Sequence, residues 1–238
     1  MDETTGRRET STARLLNLSL FVMIGGAISV LVMQAVSQDW FPPEVSISQY
    51  GVGDYGWMLT VTLLFLAVAS ALLLWGADRQ ASTRQWSVVL PWGIWIIALT
   101  VMAFVPTNEW PEPLSLSGQI HQGAAIFGLF FAPMGAVFMV GVGRRDAQGS
   151  LAARARAAVI ACACLSWLFL GLLLLTNIDI DITGMGYKDA WSLHQTVAVV
   201  LDIVMVFALI VCLRARERAV ASQPRQSEPA YPFRSAGR

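Results

Sequence analysis

The chain has 238 residues, of which 55% are hydrophobic and only 13% are charged, and its formal net charge is zero. A soluble domain carries about 25% charged residues, so this composition excludes an ordinary soluble globular protein and indicates a lipid bilayer. The neutral total charge also gives no case for nucleic-acid binding.

Six stretches are long enough to cross a hydrocarbon core of about 30 Å, and they contain no Asp, Glu, Lys or Arg except for Asp202 in the last. They are residues 15–35, 57–75, 87–104, 120–142, 157–175 and 193–213. The first is longer than the apolar core of a signal peptide, which has about 7–15 residues, and is therefore expected to be retained. The sequence predicts an all-α membrane protein. A six-transmembrane-helix bundle over 14–213 would be flanked by cytoplasmic tails at 1–13 and 214–238.

The cations predict the orientation of this bundle. All fifteen arginines lie in the two tails or near the connections between helices 2–3 and 4–5, with seven acidic residues and a net charge of +8. The other connections, at 36–56, 105–119 and 176–192, hold one cation, Lys188, and eight acidic residues, a net charge of −7. The positive-inside rule therefore predicts a multi-pass protein of the bacterial inner membrane with both termini in the cytoplasm.

Each outward connection carries a short run of alternating apolar and polar residues. These runs are "EVSISQY" at 44–50, "PLSLS" at 113–117 and "NIDIDIT" at 177–183. A period of two is typical of a strand with one apolar face, so we expect three helix–strand–helix hairpins with a small extracytoplasmic β-cap. Asp179 and Asp181 would then face water. The alternative for this pair is a hard cation such as calcium, which needs several further oxygen ligands.

Polar residues are few within the spans, where they are energetically unfavourable and often functional. His121 and Gln122 begin helix 4, and His194 and Gln195 begin helix 6. Asp202 lies eight residues after His194, about 12 Å along the helix axis. The four-residue spacing of His194, Ala198 and Asp202 places them on one face, and His121 shares the face of a small-residue ridge on helix 4. These residues predict a polar pocket under the outer connections.

Four interpretations of this pocket are open. In a structural role, the histidines hydrogen-bond to loop carbonyl groups, and a neutral Asp202 hydrogen-bonds to a neighbouring helix. In a binding role, the pocket takes a lipid or small amphiphile; an enzyme acting on a lipid or isoprenoid would use Asp202 as acid and a histidine as base. The others are bis-histidine haem b ligation by His121 and His194, and proton-coupled transport through Asp202.

No cofactor is predicted, and zinc would lack ligands because the outward connections contain no cysteine. The expected partners are membrane lipids and a small amphiphilic ligand. The sequence does not define an oligomeric state.

Three segments resemble a known family. "VSISQYGVGDYGWM" after helix 1, "AFVPTNEW" ending helix 3 and "SLSGQIHQGAA" opening helix 4 are similar to domain-of-unknown-function family 998, bacterial and archaeal six-helix membrane proteins. The resemblance covers most of 15–213. The positions that it carries over are Ser48, Gly51, Pro106 and His121.

The chain departs from this family at "GMGYKDAW", where Lys188 stands in place of an arginine that follows a glycine. The family is similar to the wider Frag1/DRAM/Sfk1 group of six-helix membrane proteins, which implies a lipid-related process. The resemblance implies no catalytic mechanism.

Overall fold

The computed structural model describes residues 3–38, 43–80, 85–109, 112–141, 150–178, 180 and 184–221. These residues form six α-helices and one 3-10 helix. Their bounds are α1 Glu3–Ser37, the 3-10 helix Ile47–Gly51, α2 Gly56–Gln80, α3 Trp86–Phe104, α4 Leu116–Gly141, α5 Ser150–Asn177 and α6 Tyr187–Ala221. All six α-helices are long and apolar enough to cross a membrane, as the sequence predicted. Helices α1 and α6 also extend beyond the predicted bundle limits of 14 and 213.

Consecutive helices pack as neighbours, and α6 closes the bundle by contacting α1 and α4. Because each helix reverses the direction of the one before it, the α1–α2, α3–α4 and α5–α6 connections share one end. We call it the acidic end; its described acidic residues are Glu44, Asp54, Glu109, Glu112 and Asp189. We call the opposite end the arginine end; its arginines with described side chains are Arg14, Arg79, Arg154, Arg156, Arg214, Arg216 and Arg218.

Two tryptophans of α3 form the centre of the packing between α2, α3 and α4. Trp92 is fully buried and donates from Nε1 to the Ser70 carbonyl oxygen at 2.9 Å, while Trp95 donates to the Ser70 hydroxyl at 3.0 Å. Helix α4 meets these rings with glycines. A Cβ atom on Gly128 would lie 3.3 Å from the Trp95 ring, and one on Gly135 would lie 2.9 Å from the Trp92 ring. Small residues on α4 therefore allow the close approach that the sequence indicated.

The outer surface of the bundle is apolar. Phe21 on α1 is 74% exposed, Ile97 on α3 is 63% exposed and Leu168 on α5 is 55% exposed. Soluble monomers rarely expose extended apolar surface, whereas lipid chains solvate it without cost. These side chains are therefore positioned to face the hydrocarbon of a bilayer.

The predicted β-cap is wrong for the residues that the structure describes, among which there is no strand. Within 44–50, residues from Ile47 onward form the 3-10 helix, and within 113–117 the chain is irregular up to Ser115 and helical afterwards. In the third segment α5 continues to Asn177 and a turn follows. Asp179 and Asp181 lie outside the described residues, as does the calcium alternative that depends on them.

Local hydrogen bonds explain why alternation misled the prediction in the first two segments. The backbone carbonyl oxygen of Ser46 accepts from the Gln49 N–H at 2.9 Å, which begins the 3-10 turn, and the Ser46 and Ser48 hydroxyls hydrogen-bond to each other at 3.0 Å. Ser115 caps α4, because its hydroxyl accepts from the Gly118 N–H at 3.2 Å. Serine readily bonds nearby backbone and so favours turns and helix starts. Alternating serine and aliphatic residues therefore suit a helix entry as well as a strand.

Candidate functional site

A cavity of about 440 Å³ lies at the acidic end, between α4, α5 and α6 and under the 3-10 helix and the α3–α4 connection. Its volume falls within the range of about 300–1,000 Å³ that small-molecule sites occupy. Four of the eight pocket and family residues singled out in the sequence line it: Ser48, His121, Gln122 and Gln195. The other four, His194, Asp202, Gly51 and Pro106, do not.

His121 is buried where α4 passes the end of α3. Its Nδ1 atom lies 2.7 Å from the carbonyl oxygen of Val105, the residue that follows α3. Because a carbonyl only accepts, Nδ1 must carry the proton, and the neutral ring then holds its lone pair on Nε2. The hydrogen bond thus fixes both the orientation and the tautomer of a ring that borders the cavity.

Asn108 ties the roof of the cavity to the start of α4. Its Oδ1 atom accepts from the backbone N–H and from the hydroxyl of Ser115, both at 2.9 Å. The backbone carbonyl oxygen of Asn108 accepts from the Gln49 side-chain amide at 2.9 Å, which joins the α3–α4 connection to the 3-10 helix. A Cβ atom on Gly118 would collide with Asn108 Oδ1. Glycine at this position therefore allows the roof to close over α4.

Gln195 is a buried polar residue in the part of α6 that lines the cavity. It is 6% exposed, and its Oε1 atom has no hydrogen-bond donor in the structure. A buried acceptor without a donor costs about 1–3 kcal/mol. This amide oxygen would be satisfied by a water molecule or by a ligand that supplies an N–H or O–H group.

The floor of the cavity is apolar. Leu129 of α4 and Leu173 of α5 line it and belong to one buried cluster with Leu170 and Ala198. The roof and walls include some aliphatic residues, but they also carry the polar groups of the cavity: serine, asparagine, glutamine and histidine, and the charged residues Glu109, Glu112 and Lys188. The cavity is therefore amphipathic along its depth, with polar groups toward the loops and aliphatic groups toward the membrane interior.

Asp202 is buried below this floor. It is 1% exposed; its Oδ1 atom accepts from the Ser166 hydroxyl at 2.7 Å, and its Oδ2 atom has no hydrogen-bond partner. Ala198 precedes Asp202 by one helical turn, and Leu170 follows Ser166 by one turn. The apolar cluster thus lies between the carboxyl group and the cavity, so the structure does not bring Asp202 together with His121.

His194 packs against α5 beside the cavity. Its Nδ1 atom lies 3.3 Å from Oγ1 of Thr176, whose own hydroxyl donates to the Leu172 carbonyl oxygen at 2.9 Å. The imidazole ring also packs against the Phe169 ring in a tilted arrangement, with 6.1 Å between centroids. It does not line the cavity.

The bis-histidine haem interpretation requires both imidazoles to face a single haem. His121 borders the cavity and His194 does not, so the two rings do not share this cavity, and the haem interpretation stays a prediction. Within the described part of the chain, no three His, Cys, Asp or Glu side chains group together as metal ligands would.

Gly51 serves the packing of the 3-10 helix on α2. A Cβ atom on Gly51 would lie 2.9 Å from the Leu59 side chain, and one on Gly56 would collide with the Gly51 carbonyl oxygen.

Sequence reasoning missed Gln49 and Asn108 as cavity residues. Both occur inside the segments that carry the family resemblance, but no local pattern marks two such distant residues as partners.

Six apolar helices, a lipid-facing outer surface and polar groups confined to the interior and the two ends define an integral, multi-pass membrane protein. More particularly, the chain belongs to domain-of-unknown-function family 998. The family model, described as "Protein of unknown function (DUF998)", matches residues 21–212. Comparisons with curated proteins and with solved structures give no match.

Proposed function

We propose that the chain binds a lipid or small amphiphile in the cavity at the acidic end. The observation that carries this proposal is the amphipathic cavity, whose polar roof and walls lie over the aliphatic floor formed by Leu129 and Leu173. The apolar part of a ligand would contact this floor. Its polar end would lie near His121 and Gln195, where the unpaired Gln195 oxygen favours a head group that donates hydrogen bonds.

Native mass spectrometry with a monoacylglycerol as the probe tests this proposal, because its glycerol head donates hydrogen bonds and its single chain is apolar. Ala125 lines the cavity, so Ala125→Trp would fill it. Phe127 on the same helix is 59% exposed on the outer surface, so Phe127→Trp is the matched control. We expect a bound monoacylglycerol on wild type and on the control, and its loss from Ala125→Trp. Equal binding to all three proteins would refute the proposal.

A second candidate is an enzyme acting on such a ligand, and the fixed tautomer of His121 favours it. A neutral imidazole with its lone pair on Nε2 is suited to accept a proton from a substrate hydroxyl or water. The acid of this reaction would have to come from another group, because Asp202 lies below the apolar floor. Loss of monoacylglycerol turnover in His121→Gln, with binding retained, would support catalysis. Absence of turnover in wild type would leave a binding role for this probe.

We also propose that the arginine end faces the cytoplasm of a bacterial inner membrane, with the cavity on the outer side. The charge difference between the two ends supports this orientation. In a background without Cys162, Cys164 and Cys212, a membrane-impermeant maleimide applied to intact cells should label Glu112→Cys and spare Arg218→Cys. The opposite labelling would reverse the proposed orientation.

A further inference from the structure

Two arginines, Arg156 and Arg216, lie at the arginine end, where α5 and α6 pack together. Arg156 immediately precedes the uncharged run 157–175, and Arg216 comes three residues after the run that ends at 213. Both side chains are partly buried. Their positions at the ends of the apolar runs place them at the depth of the lipid head groups.

The contact between Cys212 and Ala152 shows how these arginines are arranged. The Cys212 Sγ atom donates to the Ala152 carbonyl oxygen at 3.8 Å. Arg156 is one turn after Ala152 and Arg216 is one turn after Cys212, and the two helices run in opposite directions. Because helical side chains lean toward the N-terminus of their own helix, both arginines lean toward this contact.

The donors of this arginine pair are incompletely satisfied. Arg216 Nη2 donates to the Val140 carbonyl oxygen of α4 at 2.8 Å. The Nε atoms of both Arg216 and Arg156 are buried without an acceptor, and no carboxylate of the described residues pairs with either guanidinium. Buried cationic donors without acceptors are unfavourable, and buried charges are normally paired. An anion bound between α5 and α6 would compensate both charges and accept from the terminal guanidinium N–H groups.

We propose that Arg156 and Arg216 bind the phosphate group of an anionic phospholipid, at a second site separate from the cavity. The planar donor fork of arginine matches phosphate oxygens, and phosphate can accept from both side chains at once. Ile160 lies one helical turn after Arg156, further into the apolar run of α5, and is 38% exposed. An acyl chain of the same lipid can therefore pack along α5. Inorganic phosphate shares the head-group chemistry but lacks this apolar contact.

Substitution of Arg156 is a more specific test than substitution of Arg216, because the Arg156 side chain makes no hydrogen bond to the described residues that the substitution would break. Arg154, two residues away on α5, is exposed and serves as the control for a general loss of charge. Native mass spectrometry would compare phosphatidylglycerol with phosphatidylcholine on the full-length protein. We expect wild type and Arg154→Gln to prefer phosphatidylglycerol, and Arg156→Gln to bind it about tenfold more weakly or worse, since charge-assisted hydrogen bonds are the strong ones.

Arg216→Lys keeps the charge but removes the fork, so it should weaken phosphatidylglycerol binding without unfolding the bundle. Inorganic phosphate at millimolar concentration separates the two sources of the anion. Displacement of phosphatidylglycerol would support a site for phosphate itself, and retention would support a lipid site. An unchanged lipid preference in Arg156→Gln, or an equal loss in Arg154→Gln, would overturn the proposal.

Discussion

Replacing Gly118 by alanine should open the roof of the cavity. The added Cβ atom would collide with Asn108 Oδ1, so the asparagine must move away from Ser115. Two hydrogen bonds of 2.9 Å would be lost, each contributing about 0.5–1.5 kcal/mol net. The expected destabilisation is therefore about 1–3 kcal/mol, reduced by the helix propensity that alanine adds, up to about 1 kcal/mol.

Gly123→Ala is the matched control on the same helix. A Cβ atom there would meet nothing within 4 Å, so only the gain in helix propensity should appear. Thermal unfolding in detergent, followed by tryptophan fluorescence, compares the two variants. At about 2–4 °C for each kcal/mol in a chain of this length, Gly118→Ala should melt several degrees below Gly123→Ala. Equal melting temperatures, or a higher one for Gly118→Ala, would refute the proposed role of Asn108.

Two further pairs of substitutions test buried hydrogen bonds elsewhere in the bundle. Ser166→Ala should lower the free energy of unfolding by about 1–3 kcal/mol, because it leaves Asp202 Oδ1 without its donor; Asp202→Asn, which keeps an acceptor, should lower it less, and the reverse order of melting temperatures would contradict this pairing. Trp92→Phe should cost a similar amount by removing the bond to Ser70, while Trp57→Phe at an exposed position should cost little. Indistinguishable melting curves for the two tryptophan variants would argue against the buried bond.

The number and length of the spans could be predicted from sequence because uncharged apolar runs of about 20 residues match the thickness of a bilayer and are rare in soluble domains. The burial of His194, Ala198 and Asp202 likewise followed from helical spacing, and all three are at most 3% exposed. Burial on one helical face does not tell which neighbour each residue meets. Asp202 faces Ser166 and His194 faces Thr176, and only the packing of α5 against α6 decides this.

The cavity roof illustrates the other limit of sequence reasoning. Gln49 and Asn108 are 59 residues apart and meet through one side-chain-to-backbone hydrogen bond. Such a bond needs no particular residue on the accepting side, since every residue has a carbonyl. Local pattern therefore cannot reveal it, whereas the helical faces of α4 and α6 repeat often enough to be recognised.

The apolar cluster beneath the cavity separates the cavity from the middle of the bundle. Leu129, Leu170, Leu173 and Ala198 lie between the cavity and the middle of the bundle, so in this conformation an occupant of the proposed site would not reach the arginine end through the bundle. Passage to the other side would first require these four side chains to separate, which makes the cluster the barrier that any transport mechanism would have to open.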